Sequence, residues 1–266
     1  MVSIDVLMDG QSVRSRQGIV GFCSLILVEG RERTLVDVGH VGRRNVLIAA
    51  LAQRGLTPGD IDNVVVSHAH WDHAQNLDLF GAAKLLIHPD ERKYAGNPHP
   101  NDWATPAWTG DMVEHEWERL VEVEEGFEIE PGVRILHTPG HSVGSVSVLV
   151  DTEDGRCAIS GDVLHYSEAA LAERNPVVFW DDEQASASIR RIVAESDLIY
   201  PGHDRPFRLT ASRKVEYLRP LELTLFGLAP SDVSVEDVVQ TYWVMPGVED
   251  QPARLRQSAN GSAQRR

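Results

Sequence analysis

Seven side chains of types that commonly bind metal ions stand in four short segments of this 266-residue chain. Each segment follows an apolar run, NVVV, GVRIL, CAI or DLIY, that is typical of a buried strand. The candidate ligands are His68, His70, Asp72, His73, His141, Asp162 and His203. Because ligand sites in open α/β sheets lie at the carboxyl ends of strands, we predict that these side chains meet at one sheet edge.

Four of these side chains fall within the six residues HAHWDH, which is too many for one tetrahedral ion to accept easily. Two adjacent ions solve this geometry. We predict two ligand sets joined by a bridging carboxylate: His68, His70 and His141; Asp72, His73 and His203; and, between the sets, Asp162. Imidazole and carboxylate ligands without a thiolate suit zinc, with iron and manganese as alternatives.

The ligand set predicts an open, catalytic centre, because structural zinc sites are mostly closed by four cysteine or histidine ligands. Two divalent ions about 3.5–4 Å apart can activate a shared water and polarise a substrate oxygen together. A water on zinc has a pKa near 7, which makes a hydroxide nucleophile available at neutral pH. The chemistry that follows is hydrolysis.

Composition restricts the partners. The formal charge is −15 with a pI near 5.1, and no basic patch or stripe is visible, so we expect a small-molecule substrate and no nucleic acid. The start MVSIDVLMDG lacks the basic region of a signal peptide. No apolar run approaches the ~20 residues that span a membrane. We therefore expect a cytoplasmic protein without membrane association.

The pattern of strands and helices predicts an α/β fold, a sandwich of two sheets with helices outside. We expect one domain over residues 1–250 and a disordered tail over 251–266. The predicted helices and long loops are helices at 43–54, at 182–194 and from about 211, and loops at 90–118 and 163–180. The tryptophans of the first loop predict a flap near the site.

The motifs resemble those of the metallo-β-lactamase superfamily. HAHWDH matches its HxHxDH motif, TPGH, SGD and PGH follow in the family's order, and VDVG resembles its DTG. The resemblance extends over about residues 20–205. It implies an αββα sandwich of two mixed sheets flanked by helices, with the metals at one edge, and it suggests a homodimer.

The resemblance also implies roles for individual residues. Asp72 would orient the attacking water or pass on its proton, and Asp37 would steady the histidine loop from behind. Quorum-signal lactonases carry a tyrosine three residues after the SGD aspartate; here that position holds His165, followed by Tyr166. Either side chain can donate a hydrogen bond to a carbonyl oxygen or oxyanion.

The resemblance favours a hydrolase of small carbonyl compounds, a lactone or an ester, over the other activities of the superfamily. GHD at residues 202–204 is similar to the lactonases, and other stretches resemble the small animal metallo-β-lactamase-domain proteins. A phosphodiesterase and a glyoxalase II-like thioesterase are the enzymatic alternatives, and a catalytically silent metal- or signal-binding protein is the alternative outside enzymes. Trp71 could form an apolar wall for an acyl or aromatic group of the substrate, and Trp103 and Trp108 could close over it.

Overall fold

The computed structural model of the chain describes residues 2–16, 18–222 and 243–255. Most of the predicted tail, 256–266, lies outside these ranges. Within them, every helix is too short or too polar to cross a lipid bilayer.

A six-stranded mixed sheet forms one half of the molecule. Its strands, in spatial order, are β1 (Ser3–Met8), β4 (Leu25–Glu29), β5 (Arg33–Val36), β6 (Asn63–Val65), β7 (Lys84–Ile87) and β8 (Leu120–Glu122). The first three strands pair antiparallel, and β5 through β8 pair parallel. The carboxyl ends of β5 and β6 therefore lie side by side.

A seven-stranded mixed sheet forms the other half. Its strands, in spatial order, are β16 (Val215–Tyr217), β15 (Phe207–Leu209), β14 (Leu198–Pro201), β12 (Gly155–Gly161), β11 (Val146–Thr152), β10 (Val133–His137) and β9 (Glu128–Glu130). Strands β12 and β14 pair parallel, so both deliver their last residues to the same edge.

Two short pairings complete the strands, β2 (Gln11–Ser15) with β3 (Gly18–Phe22) and β13 (Val177–Val178) with β17 (Trp243–Val244). The α-helices with defined bounds are α1 (Arg44–Ala52), α2 (Trp71–Ala74), α3 (Pro89–Ala95), α4 (Thr109–His115), α5 (Ser167–Ala172) and α6 (Asp182–Glu195). The predicted helices at 43–54 and 182–194 correspond to α1 and α6.

The alternation of side chains along β4 shows why the sheets pack as layers. Leu27 points into a cluster that includes Leu47 and Leu51 of α1, whereas Ile26 and Val28 point into the cluster between the sheets. A third cluster packs α6 on the far face of the second sheet. Strands buried on both faces read as continuous apolar runs, which explains the runs that precede the ligands. The predicted αββα sandwich is confirmed.

Three predictions of local structure are wrong. The stretch 90–118 was predicted as a loop but contains most of α3 and all of α4, and 163–180 contains α5 and β13. These elements have two to seven residues, too few to establish a hydrophobic period. The helix predicted from about 211 is instead the hairpin of β15 and β16, whose turn includes Arg213 at φ 56.

The first residues of the predicted tail are ordered against the domain. Residues 251–255 are helical, and the side chain of Gln251 is buried. Its Nε2 donates to Tyr94 Oη at 2.7 Å and to the Phe179 carbonyl at 3.3 Å. These bonds attach the segment to the domain, because buried polar groups persist where they are hydrogen-bonded.

His88 caps α3 and stacks on a second histidine. Its Nδ1 accepts a hydrogen bond from Asp90 N at 3.2 Å, and its ring lies 4.1 Å from that of His137 with an interplanar angle of 10°. Burial, followed by the charge of the neighbouring His137, lowers the pKa of His88 to about 4. His88 is therefore neutral in the folded protein at pH values where a histidine in the unfolded chain gains a proton.

We expect His88 to reduce stability under mildly acidic conditions. The unfolded chain binds this proton near pH 6.5 and the folded chain only near pH 4. The free energy of unfolding is therefore undiminished by His88 above pH 6.5, and it decreases as pH falls from 6.5 toward 4. His88→Asn keeps a capping acceptor and removes the titrating ring. The melting temperature of wild type should fall more between pH 7 and pH 5 than that of His88→Asn; equal falls would contradict this account.

Candidate metal centre

The predicted ligands follow the strands as the sequence indicated. His68 and His70 lie beyond the end of β6, and Asp72 and His73 lie on α2, which begins immediately afterwards. His141, Asp162 and His203 follow β10, β12 and β14, respectively. All seven side chains are buried. The edges of both sheets therefore contribute to one site.

Asp162 is at the centre of this arrangement. Its Oδ1 lies 3.2 Å from His73 Nε2, and its Oδ2 lies 3.2 Å from His203 Nε2, 3.7 Å from His141 Nε2 and 4.0 Å from His68 Nε2. A single carboxylate thus faces imidazoles delivered by three separate strand ends.

The seven residues divide into the two predicted sets. Each set has potential ligand atoms within 4.8 Å of one another: His68, His70, His141 and Asp162 in one, and Asp72, His73 and His203 in the other. Asp162 also belongs to a third group, with His203 and His165; of these three, His165 was not predicted as a ligand. The structure brings all seven predicted side chains together; that they bind metal stays a prediction.

Hydrogen bonds on the side away from the centre orient two of the histidine rings. His73 Nδ1 lies 2.8 Å from Asp37 Oδ2, and Asp37 also accepts from Ser67 N at 2.8 Å and from Ser67 Oγ at 2.7 Å. His141 Nδ1 donates to the Val177 carbonyl at 2.7 Å. Such contacts fix the tautomer, so that the opposite nitrogen carries a lone pair toward the centre. Asp37 lies where the resemblance placed it.

The ionisable groups of the site shift one another's pKa values. Burial, with the neighbouring imidazoles next, holds the pKa of His68 and of His70 well below the usual value. For His73, burial acts in the same direction, but the carboxylates, Asp162 first, outweigh it and raise the pKa well above the usual value. Rings without a proton are ready to bind a cation, and a cation binding at His73 would displace its proton.

The residues fit divalent cations. Within the described part of the chain, several buried atoms that face the centre have no hydrogen-bond partner: His68 Nε2, His73 Nε2 and Asp162 Oδ1. Buried polar atoms without partners are rare and costly, and a shared ligand satisfies them. Nitrogen and carboxylate donors without a thiolate suit zinc, iron or manganese. Asp162 lies within reach of both sets.

We expect Asp37→Asn to weaken divalent metal binding by about 10–100-fold, the usual effect of losing such an outer contact. The asparagine oxygen can still accept from Ser67 N, but its amide hydrogens would face His73 Nδ1. His73 would then place its proton on Nε2, the atom that faces Asp162. Asparagine tolerates the φ of 60° at this position.

The measurement is competition for Zn²⁺ against a chelator, with Asp78→Asn as the matched control. Asp78 pairs with Arg44 at an exposed site on the surface. The control should bind metal as wild type does. Equal affinities for Asp37→Asn and wild type would show that Asp37 does not orient the ligand.

The centre opens into a cavity of about 60 Å³ with one aromatic side. Its lining includes Trp71, Trp103 and Phe179, and the Phe179 ring lies 4.6 Å from that of His70. Trp71 and Trp103 therefore lie where the predicted apolar wall requires. Trp108 is 47% exposed and is not among the lining residues, so Trp103 reaches the cavity and Trp108 does not.

The two candidate hydrogen-bond donors face different cavities. His165 is buried, lines the cavity at the centre, and has Nδ1 3.2 Å from Asp162 Oδ2. Tyr166 lines an adjoining cavity of about 560 Å³ that shares His203 with the first. Burial first, together with nearby imidazoles, lowers the pKa of His165 to about 3, so its ring is neutral. His165 is the better placed of the two.

Sequence reasoning missed several residues of the cavity. Phe179 and Val177 fall in the apolar run VVFW of the supposed loop 163–180, a run that could have indicated a buried strand. Ser12 and Gly21 reach the cavity from the β2–β3 hairpin, for which the sequence offers no clear turn motif.

Comparison with known proteins agrees with this geometry. The family model described as "Metallo-beta-lactamase superfamily" matches residues 18–203. "Metallo-beta-lactamase domain-containing protein 1" of Xenopus laevis is 30% identical over 189 residues, 70% of this chain and 72% of that protein. An "N-acyl homoserine lactonase" of a Bacillus species is 28% identical over 167 residues, 59% of this chain and 62% of the lactonase.

A solved structure supports the fold independently. A "probable metal-dependent hydrolase" from Staphylococcus aureus superposes with a TM-score of 0.68 at 20% identity, covering 84% of this chain and 98% of that one. The chain belongs to the metallo-beta-lactamase superfamily, as its motifs suggested. Residues 243–255 lie outside the segment 18–203 that the family model matches.

Proposed function

We propose that this protein is a dinuclear metal-dependent hydrolase of small, uncharged carbonyl compounds, with lactones and esters as the substrate class. The observation that carries the proposal is the pair of buried ligand sets around Asp162, which opens into a cavity with an aromatic side. The similarity to the Bacillus lactonase supports the same substrate class.

The lining of the cavity favours an uncharged substrate. Among the described residues that line it, none is lysine or arginine. A phosphodiester or carboxylate would therefore meet no lysine or arginine side chain there, whereas Trp71 and Phe179 can pack against an acyl chain and exclude water. The overall charge of −15 acts in the same direction.

His68, His70 and His141 would hold one divalent cation, Asp72, His73 and His203 would hold the other, and Asp162 would contact both. Two such cations supply Lewis acidity to a carbonyl oxygen and lower the pKa of water, and zinc is the metal we propose.

The chain's own residues would do the remaining work. Asp72 Oδ2 lies 3.4 Å from His203 Nε2 at the cavity wall, so its carboxylate can orient the attacking water or accept its proton. His165 can donate a hydrogen bond to the substrate carbonyl oxygen as negative charge develops there. The aromatic side positions the acyl group.

The test compares wild type with Asp72→Ala after both proteins are loaded with Zn²⁺. The substrates are a series of simple lactones, p-nitrophenyl esters, an acyl thioester and bis-p-nitrophenyl phosphate. The proposal expects wild type to hydrolyse lactones or esters most rapidly, and Asp72→Ala to lose that activity.

Other outcomes identify the alternatives. Preferred turnover of the phosphodiester would make the protein a phosphodiesterase, and preferred turnover of the thioester would make it a glyoxalase II-like enzyme. Metal binding without turnover of any substrate would indicate a metal- or signal-binding protein. Each of these results would contradict the lactone and ester proposal.

A further inference from the structure

A buried glutamate that is not a predicted ligand lies between two of the segments that contain the predicted ligands. Glu91 is on α3, and its side chain is fully shielded from solvent. No ion pair joins it to a basic side chain in the described part of the chain. A buried carboxylate without a cation is costly unless hydrogen bonds satisfy it, so its partners should explain its presence.

Three donors, all from other segments, satisfy this carboxylate. Glu91 Oε1 accepts from Ala69 N at 2.8 Å. Its Oε2 accepts from Ser142 Oγ at 2.5 Å and from Gly144 N at 2.9 Å. Hydrogen bonds to a charged acceptor are the stronger class, so the carboxylate fixes both segments.

These donors are neighbours of the candidate ligands. Ala69 lies between His68 and His70, and Ser142 directly follows His141. The three imidazoles form one predicted ligand set, and His141 Nε2 lies 3.1 Å from His70 Nδ1. One carboxylate therefore connects the two segments from which this entire set of histidines comes.

Close packing shows that the contact is tightly fitted. A Cβ on Gly144 would lie 2.3 Å from Glu91 N, so only glycine permits the loop to approach α3 this closely. The loop that carries His141 thus has little freedom to move away from Glu91.

We propose that Glu91 is a positioning residue that holds His68, His70 and His141 at the spacing needed to bind one divalent cation; this rests on the proposed dinuclear function. It acts through the backbone on either side of the ligands and does not contact the substrate. Its removal should therefore weaken one of the two metal equivalents more than the other.

Glu91→Gln tests this with the least change in shape. The glutamine oxygen can accept from Ala69 N, but its amide hydrogens would then face Gly144 N, donor against donor. Competition for Zn²⁺ against a chelator should show one equivalent bound about 10–100-fold more weakly, as for other outer contacts. The visible spectrum of the Co²⁺-loaded protein should change, because cobalt absorption reports ligand geometry.

Glu130→Gln is the matched control. Glu130, on β9, is also buried and also accepts from a backbone amide, Arg31 N at 2.7 Å. Arg31 precedes β5, whereas Asp37 lies beyond the other end of that strand, at the sheet edge of the candidate ligands. Glu130→Gln should lower the melting temperature without changing Zn²⁺ affinity or the Co²⁺ spectrum.

Ser142→Ala removes one of the three donors to Glu91 and should weaken the same metal equivalent as Glu91→Gln, but to a smaller extent. This variant serves as the test if Glu91→Gln does not fold.

The outcomes separate this inference from the proposed function. If folded Glu91→Gln binds both equivalents as wild type does, or if Glu130→Gln weakens binding equally, the positioning role is wrong although the hydrolase proposal stands. Wild type that binds fewer than two equivalents would overturn both. If Glu91→Gln is unfolded and Ser142→Ala binds metal normally, the positioning role is also overturned.

Discussion

Asp162→Ala should lower the rate of hydrolysis of the best substrate by about 1,000-fold or more. Asp162 is the carboxylate within reach of both ligand sets, with oxygens 3.2 Å from His73 Nε2 and 3.2 Å from His203 Nε2. Catalytic metal ions contribute several kcal/mol, and each 1.36 kcal/mol corresponds to a factor of ten in rate. Elemental analysis should find fewer than two metal equivalents per chain.

Asp151→Ala provides the control for this change. Asp151 is an exposed aspartate on β11, paired with Arg156 at 2.7 Å. This variant should retain two equivalents and wild-type activity. Two tightly bound equivalents and normal turnover in Asp162→Ala would remove the basis for a shared carboxylate.

His165→Ala should lower kcat by about 100- to 1,000-fold, the usual effect of removing one donor to a developing oxyanion. The ring is buried beside the centre and stacks on His203 with centroids 4.4 Å apart, so it has a fixed orientation toward the cavity. Metal content should stay at two equivalents, because the predicted ligands remain. Steady-state kinetics and elemental analysis on the same preparation measure both quantities.

Tyr166→Phe separates the two adjacent candidates. Tyr166 lines the larger adjoining cavity, so loss of its hydroxyl should change kcat far less than His165→Ala does. A larger effect at Tyr166 would reverse the assignment. Loss of a metal equivalent in His165→Ala would instead make His165 a ligand, in line with its distance of 3.2 Å from Asp162 Oδ2.

The convergence of the candidate ligands could be predicted from the sequence because it depends on local spacing after buried strands. His68 and His70 follow the run NVVV, and His203 follows DLIY, so the strand ends alone place them at an edge. The layers of the sandwich were also predictable, because the order of strands and helices indicated two sheets with helices outside, as the family resemblance also implied. These features are encoded in short segments that can be interpreted one at a time.

The remaining features depend on contacts between distant segments. Nothing local distinguishes Glu91 from the other acidic residues of the chain, since its partners Ala69 and Gly144 lie 22 and 53 residues away. The hairpin at β15 and β16 was mistaken for a helix because its turn requires a positive φ at Arg213, a residue type that seldom adopts one. Such features become apparent only when the segments are assembled.

The aromatic side of the cavity has a consequence for how relatives diverge. Phe179 packs against Trp243 with ring centroids 5.0 Å apart, and Val177 pairs with the same residue, yet the superfamily match ends at residue 203. Mutations in this carboxyl-terminal strand can reshape what the enzyme accepts while leaving every metal-binding segment intact. Two relatives with identical ligand motifs can therefore evolve different substrate ranges, and alignments confined to the shared domain would not record the difference.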